Sequence, residues 1–400
     1  MIKTNICEAN GIKKSILHVS ILPNANSRLF YSSVGSETGL YSRRTTNKPL
    51  ADFKVVLIEH GYETSEYERR IIEDAGGALI DCEHCSTDDA LKEAEDADGI
   101  IFRRIEMNRT TIERFKKARI ILRYGIGTDN VNLDACTDMD IIAGHVPGYC
   151  IDDVSTHAVA LLTACVRNIV GNQHAMNHGA WDLQRTNRLF RTEGRTLGII
   201  GLGGIGQSLS KKLSGWGFRL VAADPFVEPE LADKLQVKLM SLDELLAVSD
   251  YISLHAPLLP ETHHLLDHDA FSRMKPGVMV INTARGPLIC QEALLHAIEC
   301  GIVSRAGIDV FEDEPLSGDS PMRNHPQIVV SDHTAWYSEE SQVILQKLAA
   351  EEIVRVCRGE LPFSLANVDL VRKSKRFKDW EPPDMIRWQL KRLDALQLKA

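Results

Sequence analysis

"RTLGIIGLGGIGQSLSKKLSGWGFRLVAADP", Arg195–Pro225, carries the densest structural information in the chain. Gly201-Leu202-Gly203-Gly204-Ile205-Gly206 fits GxGxxG, follows the apolar run "LGIIG" and opens the amphipathic run "GQSLSKKLSGWG". That order, strand then glycine turn then helix, is the context a dinucleotide site requires. Gly201 permits the tight turn, Gly203 lets the backbone approach a pyrophosphate, and Gly206 allows close helix–strand packing. Ile205 belongs to the same turn, and the helix start favours an anion through its free N–H groups and dipole. The next strand, "FRLVAAD", ends at Asp224, 18 residues after Gly206. An acid there accepts hydrogen bonds from ribose hydroxyls and repels a 2′-phosphate, so NAD(H) is expected over NADP(H). A glycine-rich packing turn is the plainer alternative. Strand, helix and acid in place together argue against it.

Downstream, "YISLHAP", "VMVINTARG", "RAGIDVFEDEP" and "IVVSDHT" each begin apolar and finish polar or charged. Ligands of open parallel sheets lie beyond the carboxyl ends of the strands. His255, Arg285, Asp309, Glu314 and His333 sit there or just past it. Upstream, "FKVVLIEHG", "GALIDCE", "GIIFRR" and "IILRYGIGTDN" read as strands alternating with the helices "SEYERRIIEDAGG", "STDDALKEAEDAD" and "NRTTIERFKKAR". Alternation of this kind predicts an α/β chain with two parallel-sheet domains, Rossmann-like and flavodoxin-like. Residues 151–179 read as one long helix after an Asp-rich cap, with His157 inside it as a packing residue.

Composition sets the outer bounds. The chain has 400 residues, enough for two or three domains, with 44% hydrophobic and 25% charged residues. A formal net charge of -9 does not point to nucleic acid, and no apolar run reaches the ~18 residues of a membrane span. Nine cysteines are too few and too scattered for a disulfide framework, which indicates a reducing, cytoplasmic setting. Cys82 and Cys85 form a CxxC without a second pair, so structural thiols are expected and no metal. Residues 1–50 hold seven Lys/Arg, two acids and many serines. A plain extension is preferred over an organellar targeting segment there. Residues 372–400 hold nine Lys/Arg and four acids, and 384–398 have helical apolar spacing. This tail is expected to dock on the body or on a partner subunit.

In order and spacing, "TLGIIGLGGIG", "VINTARGPLI", "AGIDVFEDEP" and "HTAWYSEES" resemble the D-isomer-specific 2-hydroxyacid dehydrogenases. "HTAWYSEES" and "RYGIGTDN" resemble the branch holding the C-terminal-binding-protein corepressors and phosphoglycerate dehydrogenase-like enzymes. The resemblance covers Phe53 to Asp369 and implies a catalytic set of arginine, glutamate and histidine. These fall on Arg285, on Glu314 29 residues later, and on His333. Reducing a 2-oxo acid builds negative charge on the carbonyl oxygen, which must be protonated. His333 would supply that proton and take it back in reverse. Glu314 would hold the other ring nitrogen and favour the charged form. Arg285 would polarise the carbonyl and orient the carboxylate.

The same resemblance implies softer assignments. Ala256, Pro257 and the turn to Thr262 would line the nicotinamide ribose, Thr283 and Ala284 would flank the ring, and Asp309 would bind the carboxamide. His255, Arg285, His333 and Trp336 complete the expected cofactor surround, and Trp336 would also limit substrate size. Arg123, which matches an arginine of the corepressor branch, precedes Gly125-Ile126-Gly127, whose backbone can form an anion nest. Arg103, at the end of "GIIFR", is a further substrate candidate beside a bland reading as a solvated strand-end charge.

Two departures stand out: Asp332 where the family usually has proline, and Gly204 where many relatives carry a larger residue. No long C-terminal regulatory domain follows, so serine-type feedback is not expected. The expected layout is an extension at 1–50, a substrate-binding domain at 51–150 and 332–370, an NAD-binding domain at 151–331 and a basic tail at 371–400. The active site would lie in the cleft, the partner would be a small 2-oxo or 2-hydroxy acid, and the assembly a homodimer. The competing reading is an NAD(H)-sensing, corepressor-like interaction protein with little turnover.

Overall fold

The structure is a computed structural model that describes residues 53–181, 189–378, 380–382, 386, 387 and 390. The extension expected at 1–50 and most of the helical spacing expected at 384–398 lie outside the described residues.

Five apolar runs form one sheet: β1 (Phe53–Ile58), β2 (Gly77–Asp81), β3 (Gly99–Phe102), β4 (Ile120–Arg123) and β5 (Ile142–His145). All pairings are parallel, in the order β2-β1-β3-β4-β5. A parallel sheet is covered on both faces, which is why β3 is buried at every position. Side chains alternate across it. Val55, Leu57, Ile101, Ile120 and Leu122 join one apolar cluster, and Val56, Ile58, Ile100, Phe102 and Ile121 join another.

A second sheet is built from β6 (Thr196–Ile200), β7 (Arg219–Ala223), β8 (Lys238–Leu239), β9 (Tyr251–Leu254), β10 (Val278–Asn282), β11 (Val303–Ile308) and β12 (Ile328–Val330). Its order is β12-β11-β10-β9-β6-β7-β8, again parallel throughout. The chain runs outward from β6 to β8, then returns to lay β9 on the other side of β6. That reversal opens a crevice at the carboxyl ends of β6 and β9. The glycine turn follows β6 and His255 follows β9, and the His255 amide donates to the Ile200 carbonyl at 2.7 Å. The chain therefore holds two parallel-sheet α/β domains.

After β12 the chain goes back to the first sheet. Helix Glu339–Cys357 packs on helix Glu66–Asp74 and on β3 and β4. The segment beyond it covers the open edge at β5: Ala366 N–H donates to the Ala143 carbonyl at 2.8 Å, and Asn367 accepts from Ala143 N–H at 2.9 Å. The described part of the basic tail stays on the body, with Phe377 and Ile386 buried in the same cluster as β1 and β4. Among the described residues no single helix is long and apolar enough to cross a membrane.

Two helices depart from expectation. Residues 151–179 divide into Ile151–Arg167 and Ile169–Asn177, bent by 58°. The break is Asn168, left-handed at φ 51°, whose side-chain oxygen accepts from the buried Arg305 Nε at 3.1 Å. Asn tolerates that conformation better than most residues, and the bond to Arg305 gives it a reason to adopt it. The helix expected over 108–119 is confined to Arg109–Ile112. Ile112 and Phe115 turn into the core, and Lys116 N–H leaves the helix to bond the Glu95 carbonyl at 2.9 Å.

Glu352 gives a test of this packing. Burial pushes its carboxyl up to about 6, although the Ser364 and Phe363 amides and Arg355 pull the other way. A carboxyl raised in the folded state binds more protons folded than unfolded, so its contribution falls as pH rises from about 4.5 to about 6. Urea unfolding at pH 4.5 and 7.5 should show wild type losing about 1.5 kcal/mol more between the two than Glu352→Gln does.

Candidate active site

The segment Ser331–Ser338 leaves β12 and is hung from Asp309 at the end of β11. The Asp309 side chain is wholly buried and accepts from Ser331 Oγ at 2.6 Å, Thr334 N–H at 3.0 Å and Ala335 N–H at 3.1 Å. Its backbone carbonyl takes the His333 amide at 2.8 Å. Held in this way, His333 adopts φ 57° and its Nδ1 lies 2.6 Å from Glu314 Oε2. The other Glu314 oxygen accepts from Phe311 N–H at 3.0 Å. Burial pushes the Glu314 carboxyl up, but His333, the Phe311 amide and the charge of Arg285 outweigh it and hold it below the usual carboxylate value. His333 is still 38% exposed, so its outer nitrogen is open to a small molecule.

Arg285 follows β10. Its Nε donates to Asp129 Oδ2 at 2.7 Å and its Nη1 to the Ala284 carbonyl at 2.7 Å. Asp129 belongs to the loop after β4, so the bond joins the two domains. Gly127 makes the approach feasible: a Cβ there would fall 1.7 Å from Arg285 Nη2. In the same loop Gly125 has φ 126°, and a Cβ on it would meet Arg123 Nη1 at 2.5 Å. Burial, with Arg285 and Arg103 nearby and Asp129 opposing, pulls the Arg123 guanidinium down to about 10. Its Nε is buried without a hydrogen-bond partner. Arg103 lies over the rings of Tyr62 and Trp336, 5.2 Å and 5.3 Å from their centroids, and Trp336 leans toward Tyr149 at 6.3 Å. Arg103 and Trp336, two separate substrate candidates by sequence, thus share one wall.

The glycine turn fits a dinucleotide. Gly201 has φ 89°, and a Cβ on it would press on the backbone of His255 and Ala256 at 2.8 Å. A Cβ on Gly206 would strike the Gly201 carbonyl oxygen at 2.3 Å, whereas one on Gly203 meets nothing within 4 Å. That open space faces the first turn of helix Gly204–Lys212, where backbone N–H groups await an anion. Asp224 is fixed by accepting from Leu202 N–H at 2.8 Å and Phe226 N–H at 2.9 Å. His255 Nδ1 and Thr283 Oγ1 are buried without partners. Burial pulls His255 down to about 4, which keeps it neutral near pH 7.

Several expected residues also carry contacts within the chain. Asp309 accepts with both oxygens from the His333 loop, so it holds that loop whatever else it meets. Thr262 spends its hydroxyl inside its own turn, on the Pro257 carbonyl at 2.7 Å and the Leu259 amide at 2.8 Å. Gly204 leaves no gap in the turn: a Cβ there would sit 2.8 Å from Ile151 Cδ1, which occupies the space. Asp332 is exposed. His157, read as mere packing, has Nε2 2.9 Å from Ser331 Oγ and so supports the same loop. Asp129, Tyr62 and Tyr149 were not singled out from the sequence. For Asp129 the only hint was its place in "RYGIGTDN".

With this geometry in hand, the chain can be set beside known proteins. Residues 159–335 match the family model described as D-isomer specific 2-hydroxyacid dehydrogenase, NAD binding domain. Over 286 residues the chain is 31% identical to the glyoxylate reductase of Korarchaeum cryptofilum, covering 70% of this chain and 86% of that one. The chain belongs to the D-isomer-specific 2-hydroxyacid dehydrogenase family. It is also 32% identical over 308 residues to the D-3-phosphoglycerate dehydrogenase of Methanocaldococcus jannaschii, covering 76% of this chain and 58% of that one. The chain thus spans little more than half the length of the phosphoglycerate dehydrogenases it matches. Among solved structures, the apo form of D-lactate dehydrogenase from Escherichia coli superposes with a TM-score of 0.64 at 28% identity, covering 77% of this chain and 98% of that one. NAD is the cofactor of the matched domain, and the turn after β6 has the space and the donors for it.

The two glycines separate fold from binding. Gly203→Ala should leave the melting temperature unchanged and weaken NADH binding at least tenfold, measured by nicotinamide fluorescence. Gly206→Ala should lower both, because its clash is with backbone and no rotamer relieves it.

Proposed function

We propose that this chain catalyses the NAD-dependent interconversion of a D-2-hydroxy acid and its 2-oxo acid. The observation that carries the reading is the His333–Glu314 pair at 2.6 Å, at the carboxyl end of a sheet whose first crevice accepts a dinucleotide. Reduced NAD, when bound, supplies the hydride. The residues of the chain handle the rest. Arg285 grips the substrate carboxylate and draws electron density onto the carbonyl oxygen. His333 in its charged form gives that oxygen the proton from Nε2 as the carbon is reduced and is left neutral, its ring held through Nδ1 by Glu314. In oxidation His333 takes the hydroxyl proton back. Arg123 and the Gly125–Gly127 backbone form the anion-holding floor, while Arg103, Tyr62 and Trp336 bound the substrate's far end.

In this proposal residues 51–150 and 332–370 bind substrate and 151–331 bind NAD. The cleft between them closes on the reactants and excludes water. The corepressor-like reading has less support: the curated relatives quoted above are named as reductases and dehydrogenases. The proposal also includes a homodimer. Ile169, Val170, Met176, Leu189 and Phe190 are exposed apolar residues close in sequence, and Trp181 among them is 88% exposed. Large apolar side chains left this exposed support an association surface there.

Two measurements check these statements. Purified protein with NADH and a panel of 2-oxo acids should lose absorbance at 340 nm, and His333→Ala should lower kcat by roughly 10²–10⁴-fold with NADH affinity retained. Turnover with none of the acids would count against the dehydrogenase reading. Light scattering should give twice the chain mass for wild type and the single mass for Ile169→Glu; an unchanged mass would count against the dimer surface.

A further inference from the structure

Asp129 is the acid that meets the arginines of the site. Its Oδ2 takes the Nε hydrogen of Arg285 at 2.7 Å, from a loop of the other domain. Arg285 Nη1 is tied to the Ala284 carbonyl at 2.7 Å. Among the described residues no hydrogen bond engages Nη2, which lies where a Cβ on Gly127 would be. A guanidinium anchored through Nε and one Nη keeps its plane fixed and turns the remaining donors outward. Arg285 and Arg103 lie in the field of Arg123, and Asp129 opposes them there. The pair is part-exposed, 37% for Asp129 and 23% for Arg285, so its contribution to stability is small.

The geometry points to Asp129 as a positioning residue: it orients the Arg285 guanidinium toward the substrate. The inference rests on the dehydrogenase reading above. Asp129 touches no reacting atom in this scheme and acts through Arg285. Because the two residues come from different domains, Arg285 is held in its working orientation only while the loop after β4 and the loop after β10 are together.

The test compares Asp129→Ala with Asp129→Asn. Asparagine keeps an oxygen that accepts from Nε; alanine does not. With the best 2-oxo acid of the panel, Asp129→Ala should lose about 10–100-fold in kcat/KM, as a reactant held about 1 Å out of place does. Asp129→Asn should recover most of that loss, and the NADH dissociation constant should stay within about twofold for both. An Asp129→Ala variant equal to wild type overturns the inference. So does an asparagine variant as poor as the alanine one, or a parallel loss of NADH affinity that marks a merely structural role. Oxalate, a small planar diacid, gives a readout without turnover by calorimetry on NADH-loaded protein. Weaker oxalate binding in Asp129→Ala, restored in Asp129→Asn, supports the inference even where wild type reduces no acid and the dehydrogenase reading fails. Wild type that neither reduces an acid nor binds oxalate removes both.

Discussion

A buried side chain, Asp309, holds the segment that carries His333. Removing a carboxyl group from water is costly unless its oxygens find donors. Here the donors are Ser331 Oγ and the amides of Thr334 and Ala335, and the Asp309 carbonyl also takes the amide of His333. Residues on both sides of His333 are pinned, so the left-handed backbone at His333 is imposed by its surroundings. The imidazole then projects toward Glu314, whose second oxygen is itself tied to Phe311 N–H. Without Asp309 this chain of bonds would have no fixed end.

The two parallel sheets explain why so many separate segments meet here. Strands running the same way bring their carboxyl ends to one side, and the chain crosses between the sheets twice. The first crossing is helix Ile151–Arg167. Its start joins Cys150 and Val154 to Ala335, with Ile126, Tyr149, Ile205 and Trp336 packed around them. Those residues come from the loop after β4, the head of the crossing helix, the glycine turn and the His333 loop. One small apolar cluster therefore ties the anion nest, the dinucleotide turn and the histidine loop together. Farther along the same helix, His157 reaches Ser331. The elements that would bind cofactor, bind substrate and move a proton share a common mechanical support.

The local parts of this arrangement were legible in the sequence. GxGxxG between a strand and a helix, and Asp224 18 residues on, are short-range patterns whose chemistry depends on neighbours in the chain. Strand ends were legible too, since an apolar run that stops at a charge shows where the sheet meets solvent. The long-range pairings were not. Asp129 and Arg285 are 156 positions apart, and His157 and Ser331 174. No periodicity links such residues; only the sheet order brings them together. The break at Asn168 was hidden for the same reason. Apolar spacing runs straight through it, and its cause is Arg305 on a strand 137 positions away.

The two departures from the family pattern show how such a site absorbs change. Gly204 frees a volume in the dinucleotide turn, and Ile151 of the crossing helix fills it. The turn keeps its packing with the contribution moved to another element, as volume-conserving exchanges in cores allow. Asp332 replaces a residue type that would stiffen the backbone before His333. The stiffness comes instead from side chains, because Ser331 is bonded to Asp309 and His157, and the next two amides after His333 are bonded to Asp309 as well. With that support already in place, a freely rotating residue at 332 costs the loop little order, and its charge is left in solvent, on the exposed side of the segment.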